Sequence, residues 1–244
     1  MTLQLNGQSE QRYREFHGAV VDQMPLLVSG RNEQGEVVDV PRDPASFAYV
    51  LERRMEAPQD VIGAWRNHSV FTGDTVSCGV DGDFVSTWDS PILRTVTPEN
   101  RLVNGALELS TAQWNELRAQ RDGTLYLSAD EVEEFGLNDG RGYVKKDGVW
   151  TPENTGVEKV WEHLSRGRDL KEYVEMVADA TPGSERIMRV YLDRPRLRSP
   201  TLREWVANKV DCSSNAYGFF SLDGDGHLVG VAPELSEGAK SRTK

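Results

Sequence analysis

The chain has 244 residues, a formal charge of −11 at neutral pH and a hydrophobic fraction of 38%. Six tryptophans and seven phenylalanines supply bulky core material, which excludes global disorder, and the acidic charge argues against non-specific coating of nucleic acid. No apolar run approaches the roughly 20 residues that a membrane-spanning helix requires, and the polar residues 1–10 do not resemble a signal peptide. We therefore expect a soluble, cytoplasmic protein without a membrane partner.

Four short turns rich in glycine, aspartate and asparagine interrupt the chain, at residues 30–35, 81–83, 147–148 and 223–226. Such residues tolerate the positive φ that tight turns need, and β-branched or aromatic residues flank each turn. We therefore predict four β-hairpins, which span about 24–40, 76–85, 143–150 and 216–232.

Apolar residues at helical spacing predict helices between and around these hairpins. They fall within residues 8–21, 45–55, 157–164, 170–177 and 201–210. Two further short helices are predicted after Ser110 and Ser128, because each serine begins a capping box. Residues 186–192 are predicted to form a strand.

Hairpins interleaved with capped helices indicate an α+β fold, with antiparallel, hairpin-rich sheets and short helices, rather than a regular βαβ alternation. Predicted strands predominate before about residue 105, and predicted helices predominate after it. We expect a strand-rich part at 1–105 and a helix-rich part at 106–244 that ends in a C-terminal β-hairpin; a single merged domain is the alternative.

The last turn contains the strongest candidate for a catalytic motif. Residues 219–227 superficially resemble the haloacid-dehalogenase phosphatase pattern, an apolar strand that ends in Asp-x-Asp-Gly-Thr. The resemblance implies that Asp223 is the nucleophile and Asp225 the acid/base beside a magnesium ion. However, His227 occupies the threonine position, and only seventeen residues follow it, whereas the nucleophile strand normally opens that fold. These departures favour a hairpin tip over a phosphatase site.

The same segment can be aligned with a calcium-binding loop, in which Asp223, Asp225, His227 and Glu234 take positions 1, 3, 5 and 12. Leu228 stands where that loop needs glycine, so an EF-hand is not expected. A looser divalent-cation site formed by Asp223, Asp225 and His227 remains a hypothesis. No other cofactor is expected.

The remaining thiols and imidazoles form no recognisable catalytic or zinc motif. Cys78 and Cys212 are too few for a disulfide framework and are expected to be unconnected thiols. Although His68 lies near Cys78 in sequence, a structural cysteine in a strand is favoured. His17 and His163 have no second ligand at metal-binding spacing.

Between residues 186 and 203 there are six arginines and a single acid, Asp193. The candidate partner-binding residues in this segment are Arg194, Arg196, Arg198 and Arg203. They could contact an acidic protein, a neighbouring subunit or nucleic acid. The alternative is a solvated loop whose arginines pair with carboxylates of the same chain.

The absence of a complete catalytic constellation favours a non-enzymatic structural or interaction protein, which binds a protein partner or copies of itself. A component of a larger assembly, such as a virus particle, is one form of this hypothesis. A second hypothesis is a metal-dependent hydrolase of phosphoesters or nucleic acid, for which Asp81 and Asp83 would have to converge with Asp223 and Asp225. A nucleic-acid-binding accessory protein is the third.

Overall fold

The computed structural model describes residues 4–7, 12–32, 34–192 and 198–233. The α-helices in these ranges are α1 (Val20–Ser29), α2 (Phe47–Glu56), α3 (Ile62–Arg66), α4 (Thr111–Ala119), α5 (Ala129–Glu134), α6 (Thr155–Leu164) and α7 (Lys171–Ala180). The first seven strands are β1 (Tyr13–Gly18), β2 (Asp43–Pro44), β3 (Val70–Cys78), β4 (Phe84–Thr87), β5 (Leu102–Val103), β6 (Ala106–Glu108) and β7 (Thr124–Leu127). The other seven are β8 (Tyr143–Lys146), β9 (Val149–Pro152), β10 (Arg186–Ile187), β11 (Val190–Leu192), β12 (Thr201–Ala207), β13 (Ala216–Gly218) and β14 (Gly226–Val231). The α+β prediction is confirmed.

The described strands form one large mixed sheet and one small antiparallel sheet. The main path of the large sheet runs β1-β14-β3-β12-β13-β11, and the small sheet has the order β10-β8-β9. Strands from both sides of residue 105 alternate over the first four strands of the main path, because β14 lies between β1 and β3, and β3 lies between β14 and β12.

Helices cover both faces of the large sheet and create two hydrophobic cores. In β12, Trp205 and Ala207 pack into one core, whereas Leu202 and Val206 pack into the other. The first core also contains apolar residues of α2, α3, α6 and α7, and the second contains those of α1 and α4. The central strands are therefore buried on both faces.

This double burial explains why the helix predicted at residues 201–210 is wrong. All seven residues of β12 are buried, as are all nine of β3, with which β12 pairs antiparallel. A strand buried on both faces has no alternation of apolar and polar residues. The spacing of Leu202, Trp205 and Val206 therefore imitated a helix.

The N-terminal predictions also need correction. Within the range 8–21, where a helix was predicted, residues 13–18 form β1, and residues 8–11 lie outside the described residues. The first predicted hairpin lacks its first strand, because residues 26–28 belong to α1. Its turn is present: Gly30 has a φ of 65° and ends α1, and Arg31 forms an isolated bridge with Val37.

The second and third hairpins are confirmed, but the fourth is wrong. The turn at 81–83 joins the paired strands β3 and β4, and Asp147-Gly148 joins β8 and β9. The turn at 223–226 lies between β13 and β14, yet these strands do not pair, because β3 and β12 separate them in the sheet. Instead, β14 inserts between β1 and β3.

Several local predictions are correct. Both capping boxes are formed, by Ser110 at α4 and by Ser128 at α5. The two helices on either side of Gly167 are α6 and α7. The strand predicted at 186–192 is divided at Met188, whose φ is 49°, so that β10 joins the small sheet and β11 joins the large one.

Candidate functional site

Four aromatic rings form a partly exposed cluster at the β11–β13 end of the large sheet. We call this cluster, Tyr191, Tyr217, Phe219 and Phe220, the aromatic platform. Tyr191 and Tyr217 lie in register on the parallel strands β11 and β13, and their ring centroids are 5.1 Å apart. Phe219 lies 5.1 Å from the rings of both Tyr217 and Phe220, and 39% of Phe219 is exposed.

The aromatic platform continues the second hydrophobic core to the surface. The ring of Phe220 lies 5.9 Å from that of Phe71, which is buried in this core. Tyr217 and Phe220 pack against the same core and are partly buried. An aromatic cluster that is anchored to a core and partly exposed at its outer end is suited to binding.

Polar side chains fix the positions of the platform tyrosines. The amides of Asn208 and Asn215 donate to the Tyr217 hydroxyl at 3.3 and 3.1 Å, and Arg189 Nη1 donates to the Tyr191 hydroxyl at 3.1 Å. These hydrogen bonds hold the two rings in fixed positions.

The structure places the predicted partner-binding arginines differently. Arg198 is exposed, just before β12. Arg203 is 7% exposed and donates to the carbonyl oxygens of Phe220, at 2.8 Å, and Asn104, at 2.6 Å. Arg203 thus fixes the position of the backbone at Phe220. Arg194 and Arg196 lie outside the described residues, in the sequence that joins β11 to Arg198.

The three predicted metal ligands are not brought together. Asp223 and Asp225 are exposed, and Asp223 accepts a hydrogen bond from Ser221 in its own turn. His227 instead lies beside Glu15 and His17 of β1. Within the described ranges, Glu15, His17 and His227 are the one group of three or more potential ligands whose donor atoms all lie within 4.8 Å of one another.

The carboxylate of Glu15 holds both imidazoles of this group. His17 Nε2 lies 2.9 Å from Glu15 Oε2, and His227 Nδ1 lies 2.7 Å from Glu15 Oε1. The side chain of Glu15 is 2% exposed, whereas those of His17 and His227 are 44% and 36% exposed. The site is therefore accessible to solvent through its histidines.

The convergence of aspartates that a hydrolase requires is not seen. Asp83 accepts hydrogen bonds from the Tyr126 hydroxyl, at 2.7 Å, and from the backbone of Ala129, at 3.1 Å. Neither of these partners comes from the turn at 223–226. In the part of the chain that the structure describes, no group of three or more closely spaced potential metal ligands joins Asp81 or Asp83 to Asp223 or Asp225.

The thiols also take separate positions. Cys78 is buried in β3, as expected for a structural cysteine, and Cys212 is exposed; no disulfide joins them. The contacts of His68 are with groups other than Cys78. Its Nδ1 lies 3.0 Å from the carbonyl oxygen of Ala64, and its ring is 5.9 Å from that of His227.

Among the described residues, none of the helices has the length and apolar character needed to cross a membrane.

Comparison with known proteins identifies a shared fold but no family. The sequence matches no family model and no curated protein. The fold is similar to a solved structure described as "Accommodation of massive sequence variation in Nanoarchaeota by the C-type lectin fold", with a TM-score of 0.59 and 11% identity. The similarity covers 93% of this chain and 100% of the other. The chain therefore shares its overall fold with that structure.

The sequence did not indicate either the aromatic platform or the group formed by Glu15, His17 and His227. The reason is the same in both cases. Tyr191 meets Tyr217, and His17 meets His227, through strand pairings between distant segments. One local signal was available for the aromatic platform, because Tyr217, Phe219 and Phe220 fall within four residues.

Proposed function

We propose that this chain is a non-enzymatic recognition domain that binds an acidic protein surface through the aromatic platform. The observation that carries the proposal is the exposed end of the platform at Phe219, which lies on rings that continue into the core. Tyrosine, phenylalanine and arginine are enriched at protein interfaces, and anchored aromatic residues commonly dominate the binding energy.

The charge of the partner is inferred from the arginines around the platform. The chain as a whole has 39 acidic and 28 basic residues, so the segment 186–203 is a local exception. Arg189 Nη1 donates to the Tyr191 hydroxyl, and Arg203 donates to the carbonyl oxygen of Phe220, so two arginines of this segment contact the platform. Arginines in contact with an aromatic cluster favour a partner that offers carboxylates beside an apolar contact.

The fold supports the same proposal. The similar structure is described in terms of massive sequence variation that the C-type lectin fold accommodates. A framework that tolerates such variation is suited to presenting recognition surfaces of different composition. On this proposal, the two buried faces of the sheet provide the stable framework, and the β11–β13 end provides the contact.

A display library of random peptides provides a direct test. We expect the immobilised protein to enrich acidic peptides, and we expect Tyr191→Ser and Phe219→Ser to abolish their binding. Val149→Ser is the matched control, because Val149 is an exposed apolar residue of β9 in the small sheet. Failure to enrich any peptide, or enrichment that the two platform variants leave unchanged, would contradict the proposal.

The same assay separates a protein partner from nucleic acid. Stacked aromatic rings with nearby arginines are also found at single-strand binding sites. If a single-stranded oligonucleotide displaces the peptides, and its affinity falls steeply with salt, the surface belongs to a nucleic-acid-binding protein instead. The hypothesis of a larger assembly, such as a virus particle, stays a prediction. Sedimentation velocity of the purified chain tests whether the chain associates with copies of itself.

A further inference from the structure

We propose that Glu15, His17 and His227 form a binding site for a divalent transition-metal ion, with Zn²⁺ as its preferred occupant. This site lies on the β1–β14 pair and is separate from the aromatic platform. The proposal rests on the placement of three ligand types in one group, on their exposure to solvent and on the strand geometry that holds them.

The strand pairing brings the two histidines together. His17 of β1 lies directly opposite His227 of β14 in the antiparallel register, and their ring centroids are 4.6 Å apart. The backbone of Ala232 donates to the carbonyl oxygen of Arg12, so the alternation of this ladder makes the His17–His227 pair a non-hydrogen-bonded one. Side chains of such pairs lie closest together.

Glu15 completes the group from the same face of β1. Residues two apart in a strand project to the same side, so Glu15 and His17 both face His227. The present distances from the two imidazole nitrogens to the Glu15 oxygens, 2.9 and 2.7 Å, are close to the separations between neighbouring ligands of a tetrahedral ion. With metal–ligand bonds of about 2.0–2.2 Å, the ligand atoms of a tetrahedral ion lie about 3.3–3.6 Å apart, so binding would need these atoms to separate by about 0.4–0.9 Å.

The donor set selects the class of ion. Two imidazoles and one carboxylate suit Zn²⁺ and related transition metals, whereas calcium and magnesium prefer sites made of oxygen ligands. Three protein ligands also leave a coordination position for water or a further side chain. His68 is one candidate, since its ring lies 5.9 Å from that of His227 and the contact of its Nδ1 with the carbonyl oxygen of Ala64 leaves Nε2 as the possible ligand atom.

An ion at this position would join the edge strand β1 to β14 and stabilise the folded chain. The test is the thermal midpoint of the full-length chain, freed of metal by a chelator, with and without excess ZnCl₂ near neutral pH. Cys212→Ser serves as the background, because Cys212 is exposed and could bind zinc itself. With zinc about 100-fold above Kd, we expect Tm to rise by about 5–10 °C.

Substitutions of the two histidines then show whether the proposed site causes the zinc-dependent rise in Tm. His17→Gln and His227→Gln should each remove most of the zinc-dependent rise, while Asp225→Asn, in the neighbouring turn, should retain it. No rise in Tm, or a rise that both histidine variants retain, would overturn the proposal.

A spectroscopic measurement on the unmutated ligand set keeps the proposal testable if a variant fails to fold. Co²⁺ bound by this site should give visible absorption of a low-symmetry four- or five-coordinate complex, at one ion per chain, and Zn²⁺ should displace it. The spectrum of hexa-aqua Co²⁺ alone would contradict the proposal.

Discussion

Tyr191 and Tyr217 lie side by side on parallel strands, although the long segment between them includes all of β12. Their ring centroids are 5.1 Å apart, so Tyr191, which accepts a hydrogen bond from Arg189, lies beside the ring of Tyr217, which in turn contacts Phe219 and Phe220. This single pairing brings Tyr191 and its Arg189 contact to the other aromatic rings of the platform. The recognition function proposed for the chain depends on it.

Arg54 is expected to be a major source of stability away from that surface. Its guanidinium is fully buried and donates five hydrogen bonds, to the carbonyl oxygens of Trp65, His68 and Ala207 and to the hydroxyls of Tyr173 and Ser214. Arg54→Met leaves buried acceptors without donors, so it should lower the free energy of unfolding by about 3–5 kcal/mol.

Urea unfolding measures this loss, and Arg101→Met is the control. Arg101 is exposed, and its ion pair with Glu108 should contribute at most about 1 kcal/mol. Equal losses in the two variants would show that the Arg54 network has no special role.

Glu204 should make stability fall as pH rises. Burial is the main cause that raises the pKa of its carboxyl from 4.5 to about 7. Between these values the unfolded chain releases a proton that the folded chain keeps, so ionisation favours the unfolded state. The loss is complete above about pH 7 and amounts to about 3 kcal/mol.

Glu204→Gln should therefore stabilise the chain at pH 8 and have a much smaller effect at pH 4. Chemical unfolding at the two pH values measures the difference, with the exposed Glu116→Gln as the control. A change in stability that is the same at both pH values would contradict the assignment.

His163 should have the opposite dependence on pH. Burial, followed by the charge of Arg166, lowers the pKa of its imidazole from 6.5 to about 4, and its ring stacks on Trp88 at 5.1 Å. The unfolded chain therefore gains a proton first, and stability is lost as pH falls below 6.5. An NMR titration, with the resonance assigned by His163→Gln, should show a midpoint near pH 4; a midpoint near 6.5 would refute the prediction.

Gly226 is expected to tolerate no side chain. A Cβ at this position would overlap the ring of Phe71, which lies in the second core. Gly226→Ala should destabilise the chain by about 1–3 kcal/mol, because the overlap forces the strand or the ring to move. Thermal unfolding measures the cost. Gly63→Ala is the control. Gly63 lies in α3, and its Cβ would come no closer than 3.9 Å to Asn67, so a neutral or slightly stabilising effect is expected.

Local signals in the sequence predicted local structure well. The serine capping boxes and the Asp147-Gly148 hairpin are encoded within a few residues, and each is present. Residues 223–226 do form a turn, but no residue of the turn specifies that β14 inserts between β1 and β3. Pairings between distant strands depend on the whole fold, so the sequence could not place His17 beside His227 or predict the aromatic platform.

The affinity of a selected acidic peptide for the platform variants tests the central claim most directly. Isothermal titration of Phe219→Ser and Val149→Ser compares two exposed apolar positions, one on the aromatic platform and one on the small sheet. We predict that Phe219→Ser raises Kd by about 30-fold or more, as expected of a binding hot spot, and that Val149→Ser changes it by less than about twofold. Equal affinities for the two variants would contradict the account.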